Sequence, residues 1–343
     1  MRRSGLESRI VARSSVLHPR HSSPIKIGVS SCLLGNQVRF DGGHKRNDFL
    51  VETFGQFVEW VPVCPEIEIG LGVPRRTLRL IRSNGETRLA DNPSKRAEDN
   101  EPVDHTSAMR SYAGARAKAL ADQKLCGYVL KKDSPSCGME RVRVYGPGAM
   151  PSRDGRGLFA DALISEYPNL PVEEEGRLAD PRLRENFVER VFAYRDLRTF
   201  FDSPWKSGGL VAFHTARKLQ LMAHSRVRYE RLGQMVANAK QIPRKLLRGN
   251  YENEFMAALR ELATRARHKN VLDHIAGHLR HHLEDESRQE LQTLIADYRN
   301  GLVPLIVPIT LIRHHVRRCD VSYLSGQSYL EPHPKELMLR NHV

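Results

Sequence analysis

Apolar and polar residues follow two different rhythms along this chain, and the change falls between about residues 146 and 186. Before it, short apolar runs alternate with a helical stretch: IKIGVS at 25–30, FVEWVPV at 57–63, HTSAMRSYAGARAKALADQ at 105–123 and LCGYVL at 125–130. This alternation is typical of a mostly parallel β-sheet with helices packed on it. The first half is therefore predicted to be an α/β domain.

Beyond the change the periodicity is helical. Residues 210–239 and 268–301 carry apolar residues every three or four positions, and Gly301 is predicted to stop the last helix there. The second half is therefore predicted to be all-α. The expected organisation is a disordered leader at 1–24, an α/β domain at 25–172, a connector at 173–205 and a helical domain at 206–343.

Positive charge is concentrated in the helical half. The chain has 54 Lys and Arg against 40 Asp and Glu, a formal net charge of +14. Residues 187–343 hold 25 Lys and Arg against 16 Asp and Glu, so +9 of that excess lies there. Such a balance favours an anionic partner, either nucleic acid or an acidic membrane surface.

Neither the longest apolar run nor the N-terminus predicts a membrane or secreted protein. The run GLVPLIVPITLI at 301–312 is too short to span a bilayer and contains two prolines, so a buried core segment is predicted. The Arg- and Ser-rich first 24 residues lack the continuous apolar core of a secretory signal. The cytosol is the expected location.

The five cysteines are an odd number without a secretory signal, which argues against a disulfide framework. Cys32, Cys64 and Cys137 each lie at or just past the end of a predicted strand, where open α/β sheets bind their ligands. Their separations of 32 and 73 positions match no zinc ribbon or ferredoxin pattern. The residues alone leave two interpretations: ordinary buried thiols, or a three-thiolate metal centre whose open coordination position would make it catalytic.

Three ordered motifs resemble the thiouracil desulfidase family: GVSSCLLG at 28–35, VPVCPEIEIGLGVPR at 61–75 and LKKDSPSCG at 130–138. The resemblance covers about residues 25–172. It implies a compact α/β domain in which Cys32, Cys64 and Cys137 hold a 4Fe-4S cluster, with one iron free to bind the substrate sulfur.

The second half resembles a helical domain that is often fused to these desulfidases. The similar segments are FHTARKLQLMAHS, HKNVLDHIAGHL, YRNGLVPLIVPITLIRHH and YLEPHPKELMLRNH. Such fusions resemble the desulfidases that act on 4-thiouridine in transfer RNA. The resemblance thus implies thiolated tRNA as the partner, which basic helices would hold by its phosphates. No membrane and no DNA partner is expected.

Replacing C=S by C=O requires an attacking water and a group that moves protons. Glu66, two residues after Cys64, is predicted to do this, and its likeness to the family's CPE motif supports the role; the alternative is a charged residue that merely follows a turn proline. Ser134 is predicted to hydrogen-bond the pyrimidine or its developing anion, as the family motif implies. Ser136 is its rival, and its place beside Cys137 suits it better to tuning the cluster.

The remaining candidates are substrate contacts. The resemblance implies such roles for Ser31 and Asp41, whose plain explanations are a strand-end turn and a loop cap. Arg75 and Lys132 are placed to meet phosphate or the base, with solvated charge as an equal alternative. Cys126, inside a predicted strand, is expected to be an inert core thiol.

The predicted function is therefore a cytosolic, iron-sulfur-dependent desulfidase that converts 4-thiouridine in tRNA to uridine and hydrogen sulfide. One alternative is the same chemistry on free thiolated pyrimidines. Another is a nucleic-acid-binding protein whose cluster has no catalytic role.

Overall fold

The computed structural model describes residues 24–92, 102–146 and 150–343, so the predicted leader lies outside the described residues except for Pro24. The elements of the first half are β1 (Ile25–Ser30), β2 (Val58–Val63), α1 (Pro65–Glu68), β3 (Leu78–Ser83), β4 (Glu86–Asp91), α2 (Thr106–Ala119), β5 (Gly127–Leu130), β6 (Val142–Tyr145), β7 (Ser152–Gly155), α3 (Leu158–Glu166) and β8 (Val172–Glu174). The helices that follow are α4 (Pro181–Asp202), α5 (Ser207–His224), α6 (Arg226–Ala237), α7 (Arg244–Arg260), α8 (Arg265–Leu279), α9 (Asp285–Asn300), α10 (Ile306–Arg318) and α11 (Ser322–Ser325). The predicted fold class, an α/β half followed by a helical half, is confirmed.

A parallel sheet in the order β2-β1-β5-β8 forms the centre of the first half. The three runs predicted to be strands are β1, β2 and β5, and they are neighbours, so their carboxyl ends lie side by side. Close packing of the sheet requires Gly28 in β1, because a Cβ atom there would lie 2.1 Å from the ring of Tyr128 in β5. This edge of the sheet carries all three cysteine motifs.

A second sheet, in the order β4-β3-β6-β7, was not predicted. Its strands mix buried and exposed residues; Leu80 and Leu89 are fully buried, whereas Arg82 and Arg88 are exposed. The β3–β4 hairpin turns through the pair Asn84–Gly85, with φ values of 50° and 79°. This small sheet packs beside the parallel one and closes the α/β half.

The helical half has two apolar cores, one among α4 to α7 and one among α5 and α8 to α10. Each of the two long helical stretches divides into two helices, and the first divides at Ser225, where the backbone is extended. Gly301 ends α9 in the left-handed conformation, φ 81°, as predicted. No helix in the described part of the chain is long and apolar enough to cross a membrane.

The stretch predicted to be a connector contains the end of β8 and the 22-residue helix α4. Phe187 and Val191 on α4 pack against the parallel sheet, in one core with Ile27 and Val29. The C-terminal segment reaches the same core through Leu337 and Leu339. The end of the chain therefore completes the packing of the α/β half.

Two glutamates on α4 are buried, and each has compensating partners. Glu185 accepts a hydrogen bond from Arg340 Nε at 3.1 Å, and both side chains are 4% exposed. Glu189 accepts one from Gln220 Nε2 at 2.8 Å and lies 3.3 Å from Nε2 of His224. Buried charges are tolerated only with such partners, so α4 is held in a defined position between the two halves.

Candidate functional site

Three of the five cysteines meet at the carboxyl edge of the parallel sheet. Cys32 lies in the turn after β1, Cys64 directly precedes α1 after β2, and Cys137 lies in the loop after β5. Burial is the largest of the effects that raise the pKa of Cys32 to about 11, and a charge on Cys64 contributes to the same rise. Burial also raises the pKa of Cys137, and charges on Cys32 and Cys64 add to that effect. The three sulfurs thus lie within electrostatic reach of one another.

The other two cysteines lie apart from this group. Cys126 is 7% exposed and packs in the apolar core between the parallel sheet and α4, as expected of an inert thiol. Cys319 follows α10 in the helical half.

Positive side chains lie near two of the three thiols, Cys32 and Cys64. Lys131 and Arg39 act to lower the pKa of Cys32, and Arg75 acts to lower that of Cys64, although burial outweighs them in both cases. Burial therefore keeps these thiols protonated, and a metal that binds here must displace the protons. The nearby cations favour the negative charge that bound thiolates would carry.

Ser30, the last residue of β1, is a site residue that the sequence analysis missed. It is 2% exposed. Its hydroxyl accepts a hydrogen bond from the backbone N–H of Lys131 at 3.0 Å, and its side chain also hydrogen-bonds the sulfur of Cys137. This serine joins the ends of β1 and β5. The two consecutive serines that precede Cys32, Ser30 and Ser31, were the sequence feature that could have indicated this role.

Glu66 is held from two sides. Its Oε2 accepts hydrogen bonds from Nε and Nη2 of Arg75, at 3.0 and 2.5 Å. Its Oε1 accepts one from the Ser136 hydroxyl at 3.0 Å. The guanidinium of Arg75 also donates to the carbonyls of Val38 and Gly72, at 3.0 and 3.1 Å. Arg75 therefore orients Glu66, a contact that the sequence analysis did not indicate.

The two serines of the third motif have different environments. Ser136 is fully buried and donates to Glu66. Ser134 is partly exposed, and its hydroxyl oxygen accepts the backbone N–H groups of Ser136 and Cys137, at 3.2 and 3.0 Å. Because that oxygen is the acceptor in both bonds, its own proton remains available to a ligand.

The other predicted contacts have local partners. Ser31 Oγ accepts from Nδ2 of Asn36 at 2.8 Å. Asp41 caps its own loop by accepting the Gly43 N–H at 3.0 Å. The side chain of Lys132 is exposed. Asp41 thus has the loop contact that its plain explanation describes, and substrate roles for Ser31, Asp41 and Lys132 stay predictions.

The cysteine site offers sulfur donors, the ligand type that holds iron-sulfur clusters. Within residues 24–92, 102–146 and 150–343, no three His, Cys, Asp or Glu side chains are arranged to hold one metal ion. Cysteines that bind a 4Fe-4S cube each bind a different iron, so their sulfurs stand farther apart than the ligands of one ion. Cys32 and Cys137 are buried and Cys64 is partly buried, and cations lie near Cys32 and Cys64, where they would favour bound thiolates.

Two family models match this chain. Residues 27–175 match 2-thiouracil desulfurase, and residues 218–334 match a protein of unknown function, DUF1722. The first match contains all three cysteine motifs. The second lies within the helical half.

Individual proteins match parts of the chain. The uncharacterized protein YbgA of Escherichia coli (strain K12) is 32% identical over 164 residues, which are 47% of this chain and 95% of YbgA. The solved structure of the 4Fe-4S-dependent thiouracil desulfidase TudS is similar with 28% identity and a TM-score of 0.36, over 45% of this chain and 93% of that one. The protein carries a region that matches the 2-thiouracil desulfurase family at residues 27–175, joined to a DUF1722 region at residues 218–334, and it belongs to the same family as YbgA.

Proposed function

We propose that the protein is an iron-sulfur-dependent desulfidase that replaces the sulfur of a free thiolated pyrimidine, such as 2-thiouracil, with oxygen. The observation that carries this proposal is the meeting of Cys32, Cys64 and Cys137 at the ends of three neighbouring strands, inside a 2-thiouracil desulfurase domain. In this proposal the three thiolates hold a 4Fe-4S cluster. When bound, a cluster with three protein ligands supplies an iron with an open position, a Lewis acid for sulfur.

The reaction is a substitution without net oxidation or reduction. Water attacks the ring carbon of C=S, a C–O bond forms and the C–S bond breaks. Both protons of the water leave with the sulfur as hydrogen sulfide. The protein must therefore accept a proton from the attacking water and deliver it to the leaving group.

In this proposal Glu66 accepts that proton. Its carboxylate is fixed by Arg75 and Ser136, so its orientation does not have to be set during the reaction. Ser134, which accepts two backbone N–H groups beside Cys137, can donate its own proton to the oxygen or nitrogen of the pyrimidine. Ser136, which donates to Glu66, helps to fix that carboxylate, and its substrate role stays a prediction.

A second candidate substrate is 4-thiouridine within tRNA, with uridine and hydrogen sulfide as products. The observation that favours it is the net charge of +9 on residues 187–343. A basic helical region beside a nucleobase-modifying site would hold the RNA through its phosphates. A free pyrimidine needs no such region.

Anaerobic turnover tests both substrates. The reconstituted protein is incubated with 2-thiouracil, with the nucleoside 4-thiouridine and with thiolated tRNA, and the loss of near-ultraviolet absorbance is compared with the sulfide released. Turnover of the free bases supports the first candidate, and turnover of tRNA alone supports the second. No sulfide from any of the three, with the cluster intact, would contradict a desulfidase.

Glu66→Gln is expected to lower the turnover number by about 100- to 10,000-fold, the usual contribution of a general acid or base. The amide keeps the size of the side chain but cannot take the proton. Single-turnover absorbance decay measures the effect, and the iron content should stay unchanged. Glu59→Gln, on an exposed side chain of β2, is the matched control and should leave the rate unchanged.

A further inference from the structure

A cleft of about 360 Å³ opens in the helical half where α5 meets α6. It lies on the DUF1722 region and contains none of the residues of the cysteine site. Four arginines, one glutamate, one serine and one valine line it: Ser225, Arg226, Val227, Arg228, Arg231, Glu261 and Arg267. A cleft of this size accepts a small ligand. The four arginines pair with three glutamates, Glu230, Glu254 and Glu261, so one positive charge is left over and favours an anion.

Two of the arginines are held in place by the protein. Arg228 lies 3.0 Å from Glu254 and 3.2 Å from Glu261. Arg267 donates to the carbonyl of His224 and lies 3.5 Å from Glu261. Glu261 is thus neutralised by these two arginines and does not oppose an anion in the cleft.

The other two arginines are free to turn toward a ligand. The side chain of Arg226 is 80% exposed and that of Arg231 is 58% exposed. The pair of Arg226 with Glu230, at 3.0 Å, joins two exposed side chains and contributes little. Arg231 lies 3.6 Å from Glu254, which is 16% exposed, but Glu254 also pairs with Arg228 at 3.0 Å, so rotation of Arg231 to a bound anion leaves that carboxylate with a partner.

The N-terminus of α6 opens at the same cleft. Its first N–H groups have no acceptor inside the helix, and the helix dipole favours a negative charge there. Ser225 stands at the capping position and is 5% exposed, yet its hydroxyl does not cap the helix. Within the described part of the chain that hydroxyl has no hydrogen-bond partner. The Ser225 hydroxyl is therefore a hydrogen-bond donor that a ligand can use together with the arginines.

We propose that this cleft is a phosphate-binding site, in which Arg226 and Arg231 close on a phosphate group held by the N-terminus of α6 and Ser225. Fork-shaped guanidinium groups and helix N-termini are the usual partners of phosphate oxygens. The phosphate belongs either to a free nucleotide or to an RNA backbone. The site does not depend on the desulfidase chemistry at the cysteines.

The test uses the full-length protein and two double variants. Arg226→Gln with Arg231→Gln removes the two mobile arginines, and Arg299→Gln with Arg318→Gln removes the same charge from exposed positions outside the cleft. The probes are uridine 5′-monophosphate, uridine and unmodified tRNA, titrated at several salt concentrations. Melting temperature and turnover of 2-thiouracil check that both variants remain folded.

We expect the cleft variant to bind phosphate at least about tenfold more weakly than the control variant. If the cleft variant loses affinity for uridine 5′-monophosphate, while uridine binds to neither variant, the site accepts a free phosphate ester. If it loses affinity only for tRNA, and the salt slope falls by about two, the site holds the RNA backbone. Equal affinities of the two variants for both phosphate probes would overturn the proposal. Absence of sulfide release by the wild type would instead contradict the proposed function alone.

Discussion

Cys137→Ser is expected to abolish the iron-sulfur cluster, taking the iron content of anaerobically reconstituted protein from about four per chain to near zero. The brown chromophore and the desulfidase activity should disappear with it. Serine is nearly the same size as cysteine, so the fold has little reason to change. What is lost is the thiolate, the only form of this side chain that binds iron well.

The loss of iron is expected to be large because of where Cys137 lies. It is 6% exposed, and burial raises its pKa, so its proton leaves only when a metal takes its place. A serine hydroxyl in the same place gives up its proton far less readily. With two cysteines left, a cube would have two open irons and would be lost to chelators and to oxygen.

Cys126→Ser is the matched control. Cys126 is also buried, at 7% exposure, but it lies in the core against α4. Its replacement should keep the full iron content and the chromophore. Iron loss in both variants would point to a general effect of serine on the fold, and iron retention by Cys137→Ser would exclude Cys137 as a ligand. Circular dichroism of both proteins separates these outcomes from unfolding.

Three strands of the parallel sheet and their cysteine edge could be predicted because apolar residues predominate in the short runs that form β1, β2 and β5. β5 is buried at every position, and a strand covered on both faces needs apolar residues throughout, which makes it visible without partners. The second sheet was missed because β3 and β4 each have one solvated face and carry several charges. A signal was nevertheless present in Asn84–Gly85, a pair typical of tight hairpin turns.

The contacts within the site could not be predicted from the same patterns. Nothing in the local sequence pairs Arg75 with Glu66, because the contact depends on how the loop between α1 and β3 folds back over Val38. The buried glutamates of α4 had no local signal either, since their positions on that helix suit solvent equally well. Glu185 is matched by Arg340, which lies 155 positions later in the chain.

Because Glu185 and Arg340 form that long-range pair, Arg340→Met is expected to lower the free energy of unfolding by about 3–5 kcal/mol. This is the usual cost of leaving a buried charge without its partner. Glu185 is 4% exposed and lies near the second negative group Glu189, so the variant removes a positive partner from a buried carboxylate. His333 Nε2, at 3.8 Å, is the partner that Glu185 keeps. Urea unfolding followed through the two tryptophans, Trp60 and Trp205, reports on both halves of the chain.

A double variant distinguishes the lost charge pair from lost packing. Adding Glu185→Gln to Arg340→Met removes the uncompensated charge, so most of the stability should return. Arg299→Met, at an exposed position of α9, is the control and should change the stability by less than about 0.5 kcal/mol. A loss below about 1 kcal/mol for Arg340→Met, or no recovery in the double variant, would show that the pair does not hold α4. Since Leu337 and Leu339 precede Arg340 and pack against the parallel sheet, the unpaired variant should also lose its cluster faster in air.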